Sequence, residues 1–362
     1  MQHFDIRPVA ERFRFEGRFL SASEVLSGHI NRTYRLTFSD PDGEYILQRI
    51  NNHVFRQPEV VMDNILKVTE HLRRKLVEMG ASPERRVLEF VRALDGRPLF
   101  IDESGGSWRA YRYVGNARAY DRVEKPEHFQ EAGRAFGEFQ RLLADFPASE
   151  LGETIPNFHH TPSRFDAFAR AAHEDKAGRA KGVRGEIRFF LDRRHAAHEI
   201  VGRDLPLRVT HNDTKISNVL FDDASEKAIC VIDLDTVMPG SSLYDFGDAI
   251  RYGATTAAED EKDASKMGLS MELFSRFAAG FVPEADGFLS RRELELLPLG
   301  ARVITFENGM RFLMDYLEGD AYYKTAYPEH NLARARTQIA LLKDIERRFA
   351  EMEEVVRRLI KP

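Results

Sequence analysis

Apolar and polar positions alternate in two ways along the chain: the first third has the period of strands and most of the remainder has the period of helices. Residues 25–27, 33–38 and 45–50 read as strands, with Asp40-Pro41-Asp42-Gly43 as a turn between the last two. Residues 58–79 predict a helix, with Pro58 near its start, Val61, Ile65, Val68, Leu72 and Leu76 at spacings of three and four, and Gly80 as its stop. Further strands are predicted over 87–94, 98–101 and 108–113. The segment 111–116 then changes the character of the chain and is taken as a hinge, dividing it into predicted domains 1–113 and 114–362. Behind the hinge, 127–146 predicts a helix that buries Phe129, Ala132, Phe136, Phe139, Leu142 and Leu143. Helices are also predicted over 185–201, 244–252, 271–281, 294–317 with a kink point at Pro298, and 332–360; residues 157–162 and 176–184 read as loops.

One polar stretch interrupts this pattern with assignable chemistry. Residues 207–210 predict a short buried strand that enters His211-Asn212-Asp213-Thr214-Lys215-Ile216-Ser217-Asn218, before the apolar Val219-Leu220-Phe221. Moving a phosphoryl group from a nucleotide to a hydroxyl needs a proton acceptor, oxygen ligands for Mg²⁺ and a cation against the transferred charge. Asp213 is the candidate base, Lys215 the cation and Asn218 a neutral oxygen ligand, in the H-x-D-x-x-x-x-N spacing of kinase catalytic loops. A predicted strand over 228–232 then leads to Asp233, the candidate principal metal ligand. Asp235 points the same way in an extended segment and is a candidate second or water-mediated ligand. The tripeptide Asp245-Phe246-Gly247 spells a kinase signature but lies too far beyond that strand, so Asp245 reads as a helix N-terminal or loop-bracing carboxylate. His211 reads as hydrogen-bonding the loop.

The nucleotide side is less explicit. Ser27-Gly28-His29-Ile30-Asn31 is either a plain hairpin turn or a loop whose backbone N–H groups, from Gly28 through Asn31, reach the phosphates. The strand over 45–50 lacks the lysine that a kinase keeps there. Alternation puts Gln48 on the face of Ile46 and Arg49 on the other, so either a bulge turns Arg49 inward or another cation substitutes. At the hinge, backbone groups near Arg112 and Val114 are the candidates for the adenine edge. His159 and His160 have no partner at metal-ligand spacing and read as structural or solvated.

Length and composition narrow the classes. A chain of 362 residues suits two lobes, and 43% hydrophobic with 31% charged residues is ordinary for a soluble protein. The net charge of -5 argues against nucleic acid as the main partner. The single cysteine, Cys230, rules out an intrachain disulfide and points to a reducing cytoplasm. Residues 1–14 are charged throughout, unlike a signal peptide, and no apolar run has the length of a membrane span. The charged amphipathic segment 332–360 offers a lobe surface or a dimer contact, so a monomer or weak homodimer is expected.

The catalytic stretch, the strand-rich first third and the helical remainder together resemble the aminoglycoside phosphotransferase and choline kinase superfamily. That resemblance implies an α+β, bilobal, protein-kinase-like fold with a small β-rich N-lobe and a larger, mostly helical C-lobe. Residues 231–240 (V-I-D-L-D-T-V-M-P-G), 244–251 (Y-D-F-G-D-A-I-R) and 311–320 (R-F-L-M-D-Y-L-E-G-D) further resemble N-acetylhexosamine 1-kinases, which phosphorylate the anomeric hydroxyl of N-acetylglucosamine or N-acetylgalactosamine. By that resemblance the cofactors are ATP and Mg²⁺, Asp213 is the base, Asn218 and Asp233 hold the metal, and Arg311 and Tyr322 contact the sugar. Without it, the last two read as an exposed cation and a half-buried aromatic. Asp320 either accepts from a sugar hydroxyl or serves as a turn residue after Gly319. Two alternatives remain open: the same chemistry on homoserine, choline, an aminoglycoside or another sugar, and a nucleotide-binding scaffold without turnover, which the missing strand lysine favours.

Overall fold

Strand-period segments come first in the chain and assemble first in space. The computed structural model describes residues 5–26 and 30–361. After α1 (Arg7–Ala10) the strands β1 (Arg18–Val25), β2 (Arg32–Ser39) and β3 (Gly43–Arg49) follow, then α2 (Pro58–Glu78), β4 (Phe90–Val91), β5 (Phe100–Ile101) and β6 (Ser107–Arg112). They form one antiparallel sheet in the order β1-β2-β3-β6-β4, with β5 also paired to β6. Register between β3 and β6 sets Gln48 opposite Arg109 and Arg49 opposite Trp108, so the two faces of this strand pair carry different cations.

Beyond Arg112 the chain is mostly helical: β7 (Ala117–Arg118), α3 (Pro126–Leu142), α4 (Thr161–Glu174), α5 (Arg184–Leu191), β8 (Arg208–Thr210), β9 (Val219–Asp222), β10 (Ala228–Val231), β11 (Met238–Gly240), α6 (Ser242–Gly253), α7 (Met271–Ala285), α8 (Arg291–Glu295), α9 (Leu297–Glu318) and α10 (His330–Leu359). Two small sheets, β10-β9-β7 and β11-β8, hold the loops between β8 and α6. The whole is α+β, with a sheet-built N-terminal region and a helical C-terminal region.

The helical stripes are buried where the pattern puts them. Val61, Ile65, Val68, Leu72 and Leu76 of α2 are all buried, as are Phe129, Ala132, Phe136, Phe139 and Leu142 of α3. One apolar cluster joins α2 to Phe139, Leu142 and the strand residue Cys230, so the sheet region and the helical region share a core. Within it Asn64 of α2 is wholly buried and donates to the carbonyls of Gly152 (2.7 Å) and Val237 (2.9 Å), fastening α2 to the loop that follows Asp235. Helices α6 and α9 cross backbone to backbone: a Cβ on Gly247 would lie 2.4 Å from the carbonyl of Gly300, and one on Gly300 would lie 2.0 Å from that of Leu243.

Several expectations are corrected. The first strand begins at Arg18, not at residue 25, and the strand expected over 87–94 shortens to Phe90–Val91, with a separate bridge from Ala93 to Phe13. The helix expected over 185–201 ends at Leu191 and gives way to a short 3-10 segment, Arg194–His198. Pro298 opens α9 instead of kinking it, because a proline in the first turn has no N–H to lose there. Helix α4 is not predicted at all; its N-cap is the His160 side chain, which accepts from the Ser163 amide, and histidine is outside the usual capping set.

At the β5–β6 turn, the Asp102 carboxylate accepts from the amides of Ser104 (2.8 Å) and Gly106 (2.9 Å) and from Nε1 of Trp108 (2.7 Å). Burial works against its charge, but the bonds from Ser104, Trp108 and Gly106 outweigh it and hold its pKa at about 2. A carboxyl lowered on folding stabilises the fold above its unfolded value near 4 and loses that contribution as pH falls toward 2. Asp102→Asn is therefore expected to cost about 2 kcal/mol near neutral pH, with the gap closing as pH approaches 2. Urea unfolding followed through the sole tryptophan, Trp108, at pH 7 and pH 3 measures it; an equal gap at both would remove the carboxylate charge as the cause.

Candidate active site

The loop after β8 is positioned from below by α6. Asp245, in the first turn of that helix, accepts from the backbone amides of His211 (2.9 Å) and Asn212 (2.7 Å) and from Nε2 of Gln140 (2.6 Å). Asp248, one turn on, accepts from the Thr214 amide (3.0 Å) and pairs with Arg251. The Asp-Phe-Gly tripeptide therefore braces the loop, and its aspartate is turned away from the cleft. Wholly buried His211 accepts at Nδ1 from the Asp213 amide (3.2 Å) and donates from Nε2 to the Ile232 carbonyl (2.9 Å), which assigns its proton to Nε2. The imidazole thus ties the β8 loop to the end of β10.

Those ties bring Asp213, Lys215, Asn218 and Asp233 to one place. Oδ1 of Asp213 lies 2.7 Å from Nζ of Lys215. Nδ2 of Asn218 donates to the Asp213 carbonyl (2.8 Å) and to its Oδ2 (3.1 Å), so the amide nitrogen is used up on Asp213 and the amide oxygen is left to face elsewhere. The Asn218 carbonyl accepts from the Ile232 amide (2.9 Å), which sets Asp233 beside it. Burial raises the Asp213 carboxyl, but the Lys215 ammonium outweighs burial and holds it below the usual range, where it is ionised and able to take a proton.

Asp233 has the opposite balance. Its side chain is solvent-exposed, and its backbone is in a left-handed conformation (φ 58°) that is strained for a residue with a side chain. The protein mass around it, and then the charges of Asp235 and Asp213, push its pKa up to about 7. Such a carboxylate, beside an Asn218 amide oxygen that has no partner among the described residues, is a hard-oxygen donor set that fits a divalent cation such as Mg²⁺. Among the described residues no group of three or more His, Cys, Asp or Glu side chains could hold a metal alone, which is compatible with an ion that draws its remaining ligands from phosphate and water.

Asp235 does not present itself as a second ligand. Its Oδ2 accepts from Nδ2 of Asn31 (2.7 Å) and its Oδ1 from Nη1 of Arg109. Arg109, on β6, is 3% exposed and also donates from Nε to Oε1 of Gln48 (3.0 Å). It is a buried cation on the face of the sheet that carries Gln48. Arg49 faces outward instead, with Nη2 donating to Ser104 Oγ (3.0 Å), the Asp102 carboxylate nearby and its guanidinium 5.8 Å from the Trp108 ring. Gln48 completes its own bonding by donating to Thr33 Oγ1 (3.1 Å). Arg109 was missed because its place depends on strand register across residues far apart in sequence. The available signal was alternation, which sets Arg109 on the face opposite Trp108.

The remaining nucleotide-side candidates divide. Gly28 and His29 lie outside the described residues. The Ile30 carbonyl accepts from Asn51 Nδ2 (3.4 Å), and Asn31 Oδ1 accepts from the Asn51 amide (3.0 Å). The Arg112 amide is engaged by the Glu89 carbonyl (2.8 Å) and its exposed guanidinium by Glu16 and Glu89, so its N–H is not offered to a ligand. Val114 is half-buried, and among the described residues its backbone groups have no partner.

On the far side of the catalytic loop, Glu307 of α9 is fully buried and accepts from His159 Nδ1 (2.9 Å) and Thr161 Oγ1 (2.8 Å). Nε2 of His159 meets the Asn212 carbonyl at 3.3 Å. His159 is thus structural, but in a specific sense: it connects α9 to the residue before Asp213. One turn along, Arg311 is 9% exposed, with its guanidinium 5.4 Å from the Phe158 ring and 5.8 Å from that of Tyr323. Buried Arg311 thus departs from the exposed cation that the pattern alone suggested, and Tyr322, 58% exposed, lies within electrostatic reach of it. Asp320 stands at the turn after Gly319 in a left-handed conformation (φ 62°), and its oxygens accept from Arg179 (2.5 Å) and Asn331 (2.9 Å).

Comparison with known proteins agrees with the fold. Residues 21–268 match the family model described as the phosphotransferase enzyme family. Among solved structures, the fold is similar to that of a spectinomycin phosphotransferase in complex with ADP and spectinomycin, with a TM-score of 0.59, 10% identity, and 96% of this chain and 99% of that one covered. An aminoglycoside phosphotransferase from Alicyclobacillus acidocaldarius is similar at a TM-score of 0.57 and 13% identity, covering 99% and 98%. A microcompartment-associated aminopropanol kinase is similar at 0.55 and 17%, covering 96% and 98%.

Proposed function

Because this chain belongs to the phosphotransferase enzyme family, we propose that it transfers the γ-phosphoryl group of ATP to the anomeric hydroxyl of an N-acetylhexosamine, giving ADP and the sugar 1-phosphate. The observation that carries the reaction class is the Asp213 carboxylate held between Lys215 and Asn218 with Asp233 alongside. In the proposed step the C1 hydroxyl proton passes to Asp213 as its oxygen bonds to the γ-phosphorus. The bond from that phosphorus to the bridging oxygen breaks, and the electron pair leaves with ADP. Lys215 offsets charge on the phosphoryl oxygens, and positioning supplies most of the rate. Asn218 and Asp233 would hold Mg²⁺, which neutralises charge on the phosphates when bound. Arg109, fixed by Asp235 and Gln48, takes the place of the absent strand lysine, and the backbone of Val114 meets the adenine.

The acceptor assignment rests on the resemblance of residues 231–240, 244–251 and 311–320, and on Arg311 and Tyr322, whose donors and ring edge suit a polyhydroxyl. A buried guanidinium also disfavours a cationic acceptor such as choline or an aminoglycoside. Phosphorus NMR of the product formed from ATP, Mg²⁺ and N-acetylglucosamine or N-acetylgalactosamine tests the proposal, the expected signal being an anomeric phosphate. Turnover confined to amino alcohols, with neither sugar consumed, would overturn the acceptor and leave the reaction class standing.

A further inference from the structure

Two guanidiniums meet at Phe158. Arg164 lies in the first turn of α4 and donates from Nε to the Phe158 carbonyl (3.2 Å), the residue whose ring lies under the Arg311 guanidinium. Among the described residues neither arginine has a carboxylate within ion-pair distance. Glu307, the nearest acid, is already engaged by His159 and Thr161. Burial first, and then the Arg311 charge, lower the Arg164 pKa, as expected for like charges sharing a poorly solvated space. Tyr322 and Tyr323 also lie within electrostatic reach of both. Arg164 is half-buried and Arg311 buried; among the described residues the other buried arginines, Arg109 and Arg251, are each matched by an acid. Two guanidiniums that form no ion pair with a carboxylate among the described residues, one loop away from Asp213, leave N–H donors for a ligand to complete.

We infer that Arg164 and Arg311 together bind a planar, acceptor-only oxygen group of the acceptor substrate, an amide carbonyl or a carboxylate, and that Arg164 thereby sets selectivity for acylated or acidic sugars over plain and amino sugars. The inference deepens the function proposed above and rests on it for the location of the acceptor. Geometry supports the choice: guanidinium donors are planar and have no acceptor of their own, so they match an sp² oxygen better than they match hydroxyls that must both donate and accept. A cationic amine in the same place would meet two like charges.

The test compares kcat/KM for N-acetylglucosamine, glucuronic acid, glucose and glucosamine in the wild type, Arg164→Gln and Arg164→Lys. A charged hydrogen bond to substrate corresponds to about a 10- to 100-fold loss, so Arg164→Gln should shrink the preference for the best carbonyl- or carboxylate-bearing sugar over glucose by that factor, with Arg164→Lys in between. A role confined to bracing Phe158 lowers turnover of all four sugars alike and leaves the ratio unmoved, which overturns the inference. So does a wild type that prefers glucose or glucosamine, or that turns over none of the four. Preference for glucuronic acid over N-acetylglucosamine, lost in Arg164→Gln, sustains this inference while defeating the acetylated acceptor.

Discussion

Asp213→Asn should lower kcat by about a hundredfold or more while leaving ADP affinity within a few-fold of the wild type, since general-base contributions run to about 10²–10⁴. The substitution keeps the shape of the side chain and its contact with Asn218, and removes the charge that Lys215 neutralises and the lone pair that accepts the proton. Initial rates at saturating sugar and nucleotide give kcat, and calorimetric titration with ADP gives affinity. Turnover close to normal would take Asp213 out of the base role. The direction of the Asp213 shift matters here: a carboxyl held below its usual range stays ionised down to acidic pH, so loss of the wild-type rate just below neutrality is not expected from this group.

Arg109→Met should have the second largest effect, and it should appear in two quantities at once. Removing one partner of a buried ion pair strands the other, at a cost of about 3–5 kcal/mol, and here Asp235 would be left charged beside Asp233. Stability to denaturant should fall accordingly, and the KM for ATP should rise by about tenfold or more if the guanidinium also faces the phosphates. Adding Asp235→Leu separates the two effects. The stranded charge disappears, so stability should largely return, whereas the raised KM should persist. A double variant with both quantities restored would make Arg109 a structural ion pair with no part in nucleotide binding.

How much of this was legible in advance depends on how local each signal is. The α2 and α3 stripes lie at helical spacing within single segments, and their burial followed directly from the pattern. The convergence of Asp213, Lys215 and Asn218 was equally readable, because the three share one loop and the constraint on their spacing is local. The roles fixed by long-range contacts were not. Arg109 meets Asp235 across 126 positions, and Glu307 meets His159 across 148, and neither pairing leaves a mark in the sequence around either residue. The same reason accounts for Asp235 and Asp320: each carries chemistry suited to a metal or a sugar, and each is claimed by an arginine that only the fold supplies. Helix α4 escaped for a different cause, since its start is marked by a histidine that reads as a loop residue.

The crossing of α6 and α9 at Gly247 and Gly300 gains weight from what α6 carries. Asp245 and Asp248 hold the peptide N–H groups of the catalytic loop, so the height of that loop above the helical floor is a matter of how closely two bare backbones approach. A single methyl group at Gly247 would act as a wedge under the loop and tilt Asp213 without touching it. The reach of the Asp213 carboxylate is thus gauged, in part, by two side chains that are not there.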